Sequence, residues 1–240
     1  MVQTMTPKQR LWAAMRREEV DKVPCSPRLG QALPILYRTR LVNYESNLVA
    51  NGGLEDLLAQ LARVLNLKGS VIECGCSRCG TSLIMANFLR SRGAERRIYA
   101  CDSFEGFDPA ELRQEREAGL TRAQAADFTS TSCEYVRAKI ARLGAAGVVV
   151  PVKGFFKDTL PGLDEPFCFA LVDCDLGESM RYCAETLWPH LVGGGRMLFD
   201  DYGSADFMGA RQTVDGFVEA HRGAIAEHGL LRRLYYVARK

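Results

Sequence analysis

Short apolar runs alternate with segments of helical periodicity from about residue 70 to the end of the chain. The runs that predict strands are SVIECG, RRIYACD, VVVPVKG, FCFALVDCD, GRMLFDDY and LRRLYYVAR. Amphipathic segments such as TSLIMANFLRSR and SMRYCAETLWPHL separate most of them. This alternation predicts an α/β fold with a mostly parallel sheet and helices on both faces. A chain of 240 residues is long enough for one such domain and a helical extension.

The chain is predicted to have two parts. Residues 1–41 form a helical extension, because TPKQRLWAAMRREEV starts with a capping residue, Thr6, and continues with apolar residues at helical spacing. Residues 42–240 form the α/β domain, and leucines at helical spacing predict a long helix over about residues 46–66. A polar stretch over about residues 107–130 separates the second and third strands. Because loops of that length are usually functional, we expect a helical lid there.

The overall charge and composition argue against several kinds of partner. A formal net charge of +2 provides little attraction to nucleic acid or to an anionic membrane. The first twenty residues lack the apolar core of a signal peptide, and no apolar run is long enough to span a membrane. Nine cysteines, mostly in apolar runs, favour free buried thiols over a disulfide framework. We expect a cytoplasmic homo-oligomer whose partner is a small molecule.

The stretch VIECGCSRCGTS, residues 71–82, allows three interpretations. A structural zinc site usually needs a second matched pair of cysteines, and the sequence contains no second C-x-x-C. A phosphate loop needs a lysine after its last glycine, but Thr81 follows Gly80 here. The dinucleotide pattern G-x-G-x-x-G fails because position 77 is a serine. The cysteines are therefore predicted to fill a tight turn rather than bind a metal.

The third interpretation is a cofactor site at the carboxyl edge of the sheet. Glu73 ends the first strand, and Gly75 after it lets the backbone approach a ligand closely. Asp102 ends the second strand, where an acid can accept hydrogen bonds from both ribose hydroxyls of a nucleotide. An acid beside the glycine turn would repel a pyrophosphate but suits a ligand with an ammonium and a sulfonium. The pattern predicts S-adenosylmethionine; the alternative for Asp102 is a cap or turn residue.

Two later strands also end in carboxylates. FCFALVDCD carries Asp173 and Asp175, and GRMLFDDY carries Asp200 and Asp201. Four acids at one edge would repel each other unless a cation lay among them. A hard divalent cation with oxygen ligands, such as Mg²⁺, meets that need. The alternative is that each aspartate caps the helix or turn that follows it.

Five motifs in order carry a family resemblance: VIECGCSRCGTS, CDSFEGF, GFFKDTLP, LVDCDLGES and GGGRMLFDDY. Over about residues 42–220 the chain resembles the macrocin O-methyltransferase family of S-adenosylmethionine- and Mg²⁺-dependent sugar O-methyltransferases. The resemblance implies a Rossmann-like class I methyltransferase with a seven-stranded sheet whose last strand is reversed. It also implies that a hydroxyl of a sugar or other natural-product acceptor is methylated. The cysteines and Arg78 in the glycine loop depart from the family pattern.

The resemblance also assigns site residues. It implies that Asp175 is the general base and that the metal ligands are Asp173, Asp200 and Asp201. The cofactor-binding residues expected here are Glu73, Gly75, Ser77, Thr81, Asp102, Ser103 and Phe104. Aromatic residues after strand ends are expected to line the acceptor pocket, namely Phe155, Phe156, Tyr202 and Phe207. Two other functions stay open: a metal-independent methyltransferase, and a non-catalytic protein that binds S-adenosylmethionine.

Overall fold

The structure is a computed structural model, and it describes residues 53–240. The predicted extension over residues 1–41 and the first part of the helix predicted over residues 46–66 lie outside the described residues. No helix of the described residues is long and apolar enough to cross a membrane.

Seven strands and seven helices make up the described part of the chain. The strands are β1 (Ser70–Cys74), β2 (Ile98–Asp102), β3 (Val149–Lys153), β4 (Phe167–Val172), β5 (Leu191–Phe199), β6 (Ile225–Leu230) and β7 (Tyr235–Arg239). The helices are α1 (Leu54–Ala62), α2 (Gly80–Ser91), α3 (Pro109–Glu117), α4 (Cys133–Arg142), α5 (Phe156–Thr159), α6 (Gly177–Leu187) and α7 (Gly209–His221). Short 3-10 turns follow α5, α6 and α7.

The strands form one sheet in the order β3-β2-β1-β4-β5-β7-β6. Neighbours from β3 to β5 are parallel, and β7 runs antiparallel to both β5 and β6. The predicted α/β sheet with a reversed last strand is confirmed. The apolar runs did not predict β6, because IAEHGL is a polar edge strand whose central residues are exposed. An edge strand buries too little surface to need an apolar run.

Helices cover both faces of the sheet over strands β1 to β5. On one face, a core cluster joins Leu57 of α1, Ile84 of α2 and Val136 of α4 to the sheet. On the other face, a second cluster joins Met180 of α6 and Phe217 of α7 to the sheet. The largest fully buried side chains include Phe167, Phe169 and Phe199, which lie on the central strands. Burial of each contributes about 2–3 kcal/mol, so the central strands are the rigid base of the site.

The polar insertion between β2 and β3, residues 107–130, contains α3, and α4 follows it. Asp108 caps α3, since its carboxylate accepts the backbone N–H of Ala110 at 2.8 Å and of Glu111 at 3.2 Å. Pro109 occupies the first turn, where its missing N–H costs nothing. The predicted helical character is therefore confined to α3 within residues 107–130, and the rest of that stretch is irregular.

Candidate active site

A cavity of about 320 Å³ opens at the carboxyl edge of the sheet. The cavity lies beside the end of β1, between its neighbours β2 and β4, where the strand order reverses. Ligands of such sheets usually bind at this point. Six of the seven predicted cofactor-binding residues line it: Glu73, Gly75, Ser77, Thr81, Asp102 and Ser103. The seventh, Phe104, is buried beside it and contributes its backbone N–H to the network around Asp102.

Gly75 cannot carry a side chain. Its φ is +91°, and a Cβ placed there would lie 1.8 Å from the carbonyl oxygen of Asp173. The sequence predicted that this glycine lets the backbone approach a ligand. The structure shows a further cause, which is the close approach of the chain after β1 to the chain after β4. Gly75 thereby brings the cofactor loop and the first aspartate pair together.

Asp102 organises the loops on both sides of the cavity. One carboxylate oxygen accepts the backbone N–H of Ser77 at 2.7 Å, and the other accepts that of Phe104 at 2.7 Å. Both donors have positive φ, +44° for Ser77 and +56° for Phe104, so these bonds hold the backbone in an unusual conformation. Each carboxylate oxygen keeps a second lone pair, which leaves Asp102 able to accept ligand hydroxyls as well.

Glu73 is the buried acid of the cavity. It is 1% exposed, and the Ser82 hydroxyl of α2 donates a hydrogen bond to it. Burial raises the pKa of Glu73 to about 8, against the lowering effect of the Ser82 hydrogen bond. A cationic group bound in the cavity would favour the ionised form.

The cysteines of the loop pack into the core. Cys76 and Cys79 are 3% and 0% exposed and belong to the cluster beneath α2. Cys79 has a φ of +62° and immediately precedes α2, while Thr81 lies buried in its first turn. All the described cysteines are free. Within residues 53–240 the cysteines form no group suited to a metal ion, whereas one set of aspartates does.

That set consists of Asp173, Asp175 and Asp201, whose carboxylate oxygens lie within 4.8 Å of one another. Asp200, the remaining predicted ligand, is fully buried and accepts two hydrogen bonds from Arg233, at 2.6 and 2.8 Å. Arg233 also lies 3.4 Å from Asp201. The set suited to a cation thus contains Asp175, the predicted base, whereas Asp200, a predicted ligand, lies outside it and pairs with Arg233.

Electrostatic repulsion is visible in this acidic cluster, which we define as Asp173, Asp175, Asp200 and Asp201. Burial, followed by the charges of the neighbouring aspartates, raises the pKa of Asp173 and of Asp175 well above the ordinary value. Burial and the charge of Asp200 raise the pKa of Asp201 to about 6. The cluster is therefore short of positive charge, which is the condition that a bound cation relieves.

The acceptor side of the cavity contains residues that the sequence patterns did not indicate. Glu111 of α3 accepts hydrogen bonds from Lys157 at 2.7 Å and from the Ser179 hydroxyl. Phe107 and Phe128 stack edge to face, with ring centroids 5.3 Å apart, and both line the cavity. Glu111 and Phe128 lie on the insertion outside the five motifs, so only their placement in space reveals them. Phe107, Lys157 and Ser179 lie within quoted motifs.

The aromatic residues predicted for the acceptor pocket divide into two pairs. Phe155 and Phe156 line the cavity. Tyr202 and Phe207 do not line it. Tyr202 stacks on Tyr235 with centroids 4.6 Å apart, and Phe207 packs against Phe107 of the insertion. A position after a strand end was therefore too weak a signal to identify pocket aromatics.

A family model for Macrocin-O-methyltransferase (TylF) matches residues 46–227. One relative is the 8-demethyl-8-(2,3-dimethoxy-alpha-L-rhamnosyl)-tetracenomycin-C 4'-O-methyltransferase of Streptomyces olivaceus, 35% identical over 146 residues, which are 56% of this chain and 53% of that protein. Another is the demethyldecarbamoylnovobiocin O-methyltransferase of Streptomyces niveus, 30% identical over 143 residues, with shares of 57% and 54%. The matched region thus spans about half the length of these relatives.

Solved structures of methyltransferases share the fold. The O-methyltransferase NovP matches with a TM-score of 0.70 and 24% identity, covering 85% of this chain and 89% of NovP. The calicheamicin methyltransferase CalS11 matches with a TM-score of 0.67 and 18% identity, covering 97% and 90%. The fold is therefore that of class I methyltransferases. With the family model matching most of the chain, this protein belongs to the macrocin O-methyltransferase (TylF) family.

Proposed function

We propose that this protein transfers a methyl group from S-adenosylmethionine to a hydroxyl of a sugar or other natural-product acceptor, with the help of a divalent cation. The observation that carries the proposal is the acidic cluster at the wall of the cavity, where Asp173 and Asp175 line the same space as Glu73 and Asp102. The names of the two relatives support the acceptor class, since one acts on a rhamnosyl tetracenomycin and the other on a novobiocin precursor.

The cofactor is proposed to lie along the loops after β1 and β2. Asp102 would accept the ribose hydroxyls through its free lone pairs, with Ser77, Ser103 and Phe104 keeping the two loops in place. Glu73 would face the positively charged methionine end, since its carboxyl lies in the cavity and loses its proton readily beside a cation. Thr81, in the first turn of α2, completes this end of the site.

The acidic cluster fits a hard divalent cation such as Mg²⁺. Carboxylate oxygens are the preferred ligands of Mg²⁺, and the cluster lacks positive charge. We propose Asp173, Asp200 and Asp201 as the residues that would hold it. Arg233 uses one lone pair of each Asp200 oxygen, so Asp200 keeps the capacity to accept a cation. When bound, the cation would lower the pKa of an acceptor hydroxyl and orient that hydroxyl.

Asp175 is proposed as the general base. It lines the cavity two residues beyond Asp173, and a φ of +65° turns the backbone at this position. Burial and nearby carboxylates raise its pKa, so the ionised group is a stronger base than an exposed aspartate. It would take the proton of the acceptor hydroxyl as the methyl group is transferred.

Methyl transfer can be measured as S-adenosylhomocysteine release on a panel of glycosylated acceptors that carry neighbouring hydroxyls. We expect activity that requires Mg²⁺, is lost in excess EDTA and is lost in Asp201→Asn. Calorimetry of the same variant without added cation should show nearly unchanged S-adenosylmethionine binding, because the proposed cofactor contacts lie on the loops after β1 and β2. Activity in EDTA would identify a metal-independent methyltransferase. Cofactor binding without turnover on any acceptor would favour a non-catalytic binding protein.

A further inference from the structure

Glu115 of α3 fastens the insertion to the loops that carry the acidic cluster. The side chain is buried, and its Oε1 accepts the backbone N–H of Glu178 at 3.3 Å. Its Oε2 has no hydrogen-bond partner among residues 53–240. This oxygen lies against Gly209, where an added Cβ would be 3.2 Å away. One carboxylate thus touches two other helices.

Gly177 and Gly209 are the first residues of α6 and α7. The N-terminus of a helix carries partial positive charge, so a carboxylate between two of them is favourably placed. The helix starts also touch each other, since a Cβ on Gly177 would lie 3.2 Å from the Gly209 carbonyl group. The loop before α6 contains Asp175, and the loop before α7 begins at Asp201; we call these two segments the aspartate loops. Through its contacts with both helix starts, Glu115 connects both aspartate loops to α3.

A second set of contacts strengthens this attachment. The Leu120 carbonyl accepts the backbone N–H of Met208 at 2.8 Å, and the Thr121 hydroxyl donates to the Asp206 carbonyl at 2.9 Å. Thr121 also pairs with Phe207 in an antiparallel bridge. The loop between Asp201 and α7 is therefore folded directly onto the insertion.

The same insertion forms one wall of the cofactor cavity. Five of its residues line that space: Phe107, Asp108, Glu111, Phe128 and Ser130. The Ser130 hydroxyl accepts a hydrogen bond from Arg78 of the cysteine loop at 3.1 Å. Because α3 belongs to this wall, a ligand that contacts the wall also contacts α3. Two buried acids of α3 reach the aspartate loops: Glu115, and Glu111, which accepts a hydrogen bond from Ser179 of α6.

We infer that Glu115 is a positioning residue that couples occupancy of the cofactor cavity to the arrangement of the acidic cluster. The inference rests on the proposed function, because it concerns the proposed cofactor and cation sites. Coupling between two binding sites is reciprocal, so each ligand should tighten the other by the same factor. Without the carboxylate, α3 loses its buried contact with the starts of α6 and α7, and the coupling between the two sites should weaken.

The test measures Mn²⁺ affinity by electron paramagnetic resonance, with and without saturating S-adenosylhomocysteine. In the wild type we expect the ligand to tighten Mn²⁺ by about fivefold or more, the usual range of coupling. In Glu115→Ala the factor should fall clearly below the wild-type value, while Glu115→Gln, which keeps an acceptor at Oε1, should retain more of it. The matched control is Glu117→Ala, which removes an exposed acid from the same helix and should leave the factor unchanged.

Hydrogen exchange provides a measurement that needs neither cation nor turnover. The loop over residues 204–209 does not line the cavity. S-adenosylhomocysteine should nevertheless slow its amide exchange in the wild type. It should not slow this exchange in Glu115→Ala. Wild-type coupling retained in Glu115→Ala, or no coupling in the wild type, would overturn the inference. A failure of the proposed function appears separately, as absent methyl transfer in a protein whose loop still responds to the ligand.

Discussion

Replacing Glu73 by Gln should change how the stability of this protein depends on pH. Glu73 is buried between β1 and α2, and burial raises its pKa from 4.5 to about 8. The folded protein therefore binds this proton more tightly than the unfolded chain does. The contribution of Glu73 to stability should be greatest below about pH 4.5 and should be lost as the pH rises through about 8, where the folded protein also loses the proton. Gln has the same shape, keeps a partner for Ser82 and has no proton to lose.

The expected effect follows from the size of the pKa shift. One unit corresponds to about 1.4 kcal/mol, so the full shift is worth about 5 kcal/mol. Part of that loss has already occurred at about pH 5.5. Between about pH 5.5 and pH 8.5 the stability of Glu73→Gln should therefore gain about 3 kcal/mol relative to the wild type.

Urea unfolding of both proteins across this pH range measures the difference. Other titrating groups are common to both proteins and cancel. The control is Glu95→Gln, which removes an exposed carboxylate and should follow the wild-type curve. If the curves of Glu73→Gln and the wild type run parallel, Glu73 is ionised throughout and the argument from burial is wrong. The same ionisation should make wild-type binding of S-adenosylhomocysteine tighten with pH up to about 8, by up to about tenfold per unit.

Three further substitutions test the other parts of the site. Asp102→Ala should weaken S-adenosylmethionine binding by about 1.5–3 kcal/mol, the range for hydrogen bonds to a charged group, and unchanged calorimetric affinity in a folded variant would place the ribose elsewhere. Asp175→Asn should keep Mn²⁺ binding but lower the rate of methyl transfer by about 10²–10⁴-fold, the usual contribution of a general base, and a wild-type rate would exclude that role. Changing Cys76 and Cys79 together to Ser should leave the metal content by elemental analysis unaltered, whereas loss of stoichiometric zinc or iron would identify a cysteine metal site.

The sequence by itself determined the layered α/β architecture. The run that becomes β4, Phe167–Val172, is apolar at every position because both faces of that strand are covered. The same logic failed for β6, Ile225–Leu230, which lies at the edge and exposes most of its side chains. The apolar pattern of a segment reflects how much surface that segment buries. A strand that buries little surface therefore has no recognisable apolar pattern.

The gathering of acids at one edge could also be predicted, because parallel strands end on the same side of a sheet. The contacts that each acid makes with distant parts of the chain could not be predicted. Arg233 reaches Asp200 from 33 positions along the chain, and the Asp173 carbonyl leaves no room for a side chain at Gly75. Local patterns describe an element and its own turn, and they do not specify which distant backbone or side chain packs against it.

The insertion shows the same division. Its polar sequence predicted a helix and a role near the site, and the capping Asp108 and Pro109 account for where α3 begins. Only the tertiary structure shows that Glu115 of this helix meets the starts of α6 and α7. The physical reason is that a buried carboxylate needs donors, and the backbone N–H that serves Glu115 belongs to a helix that the sheet brings there.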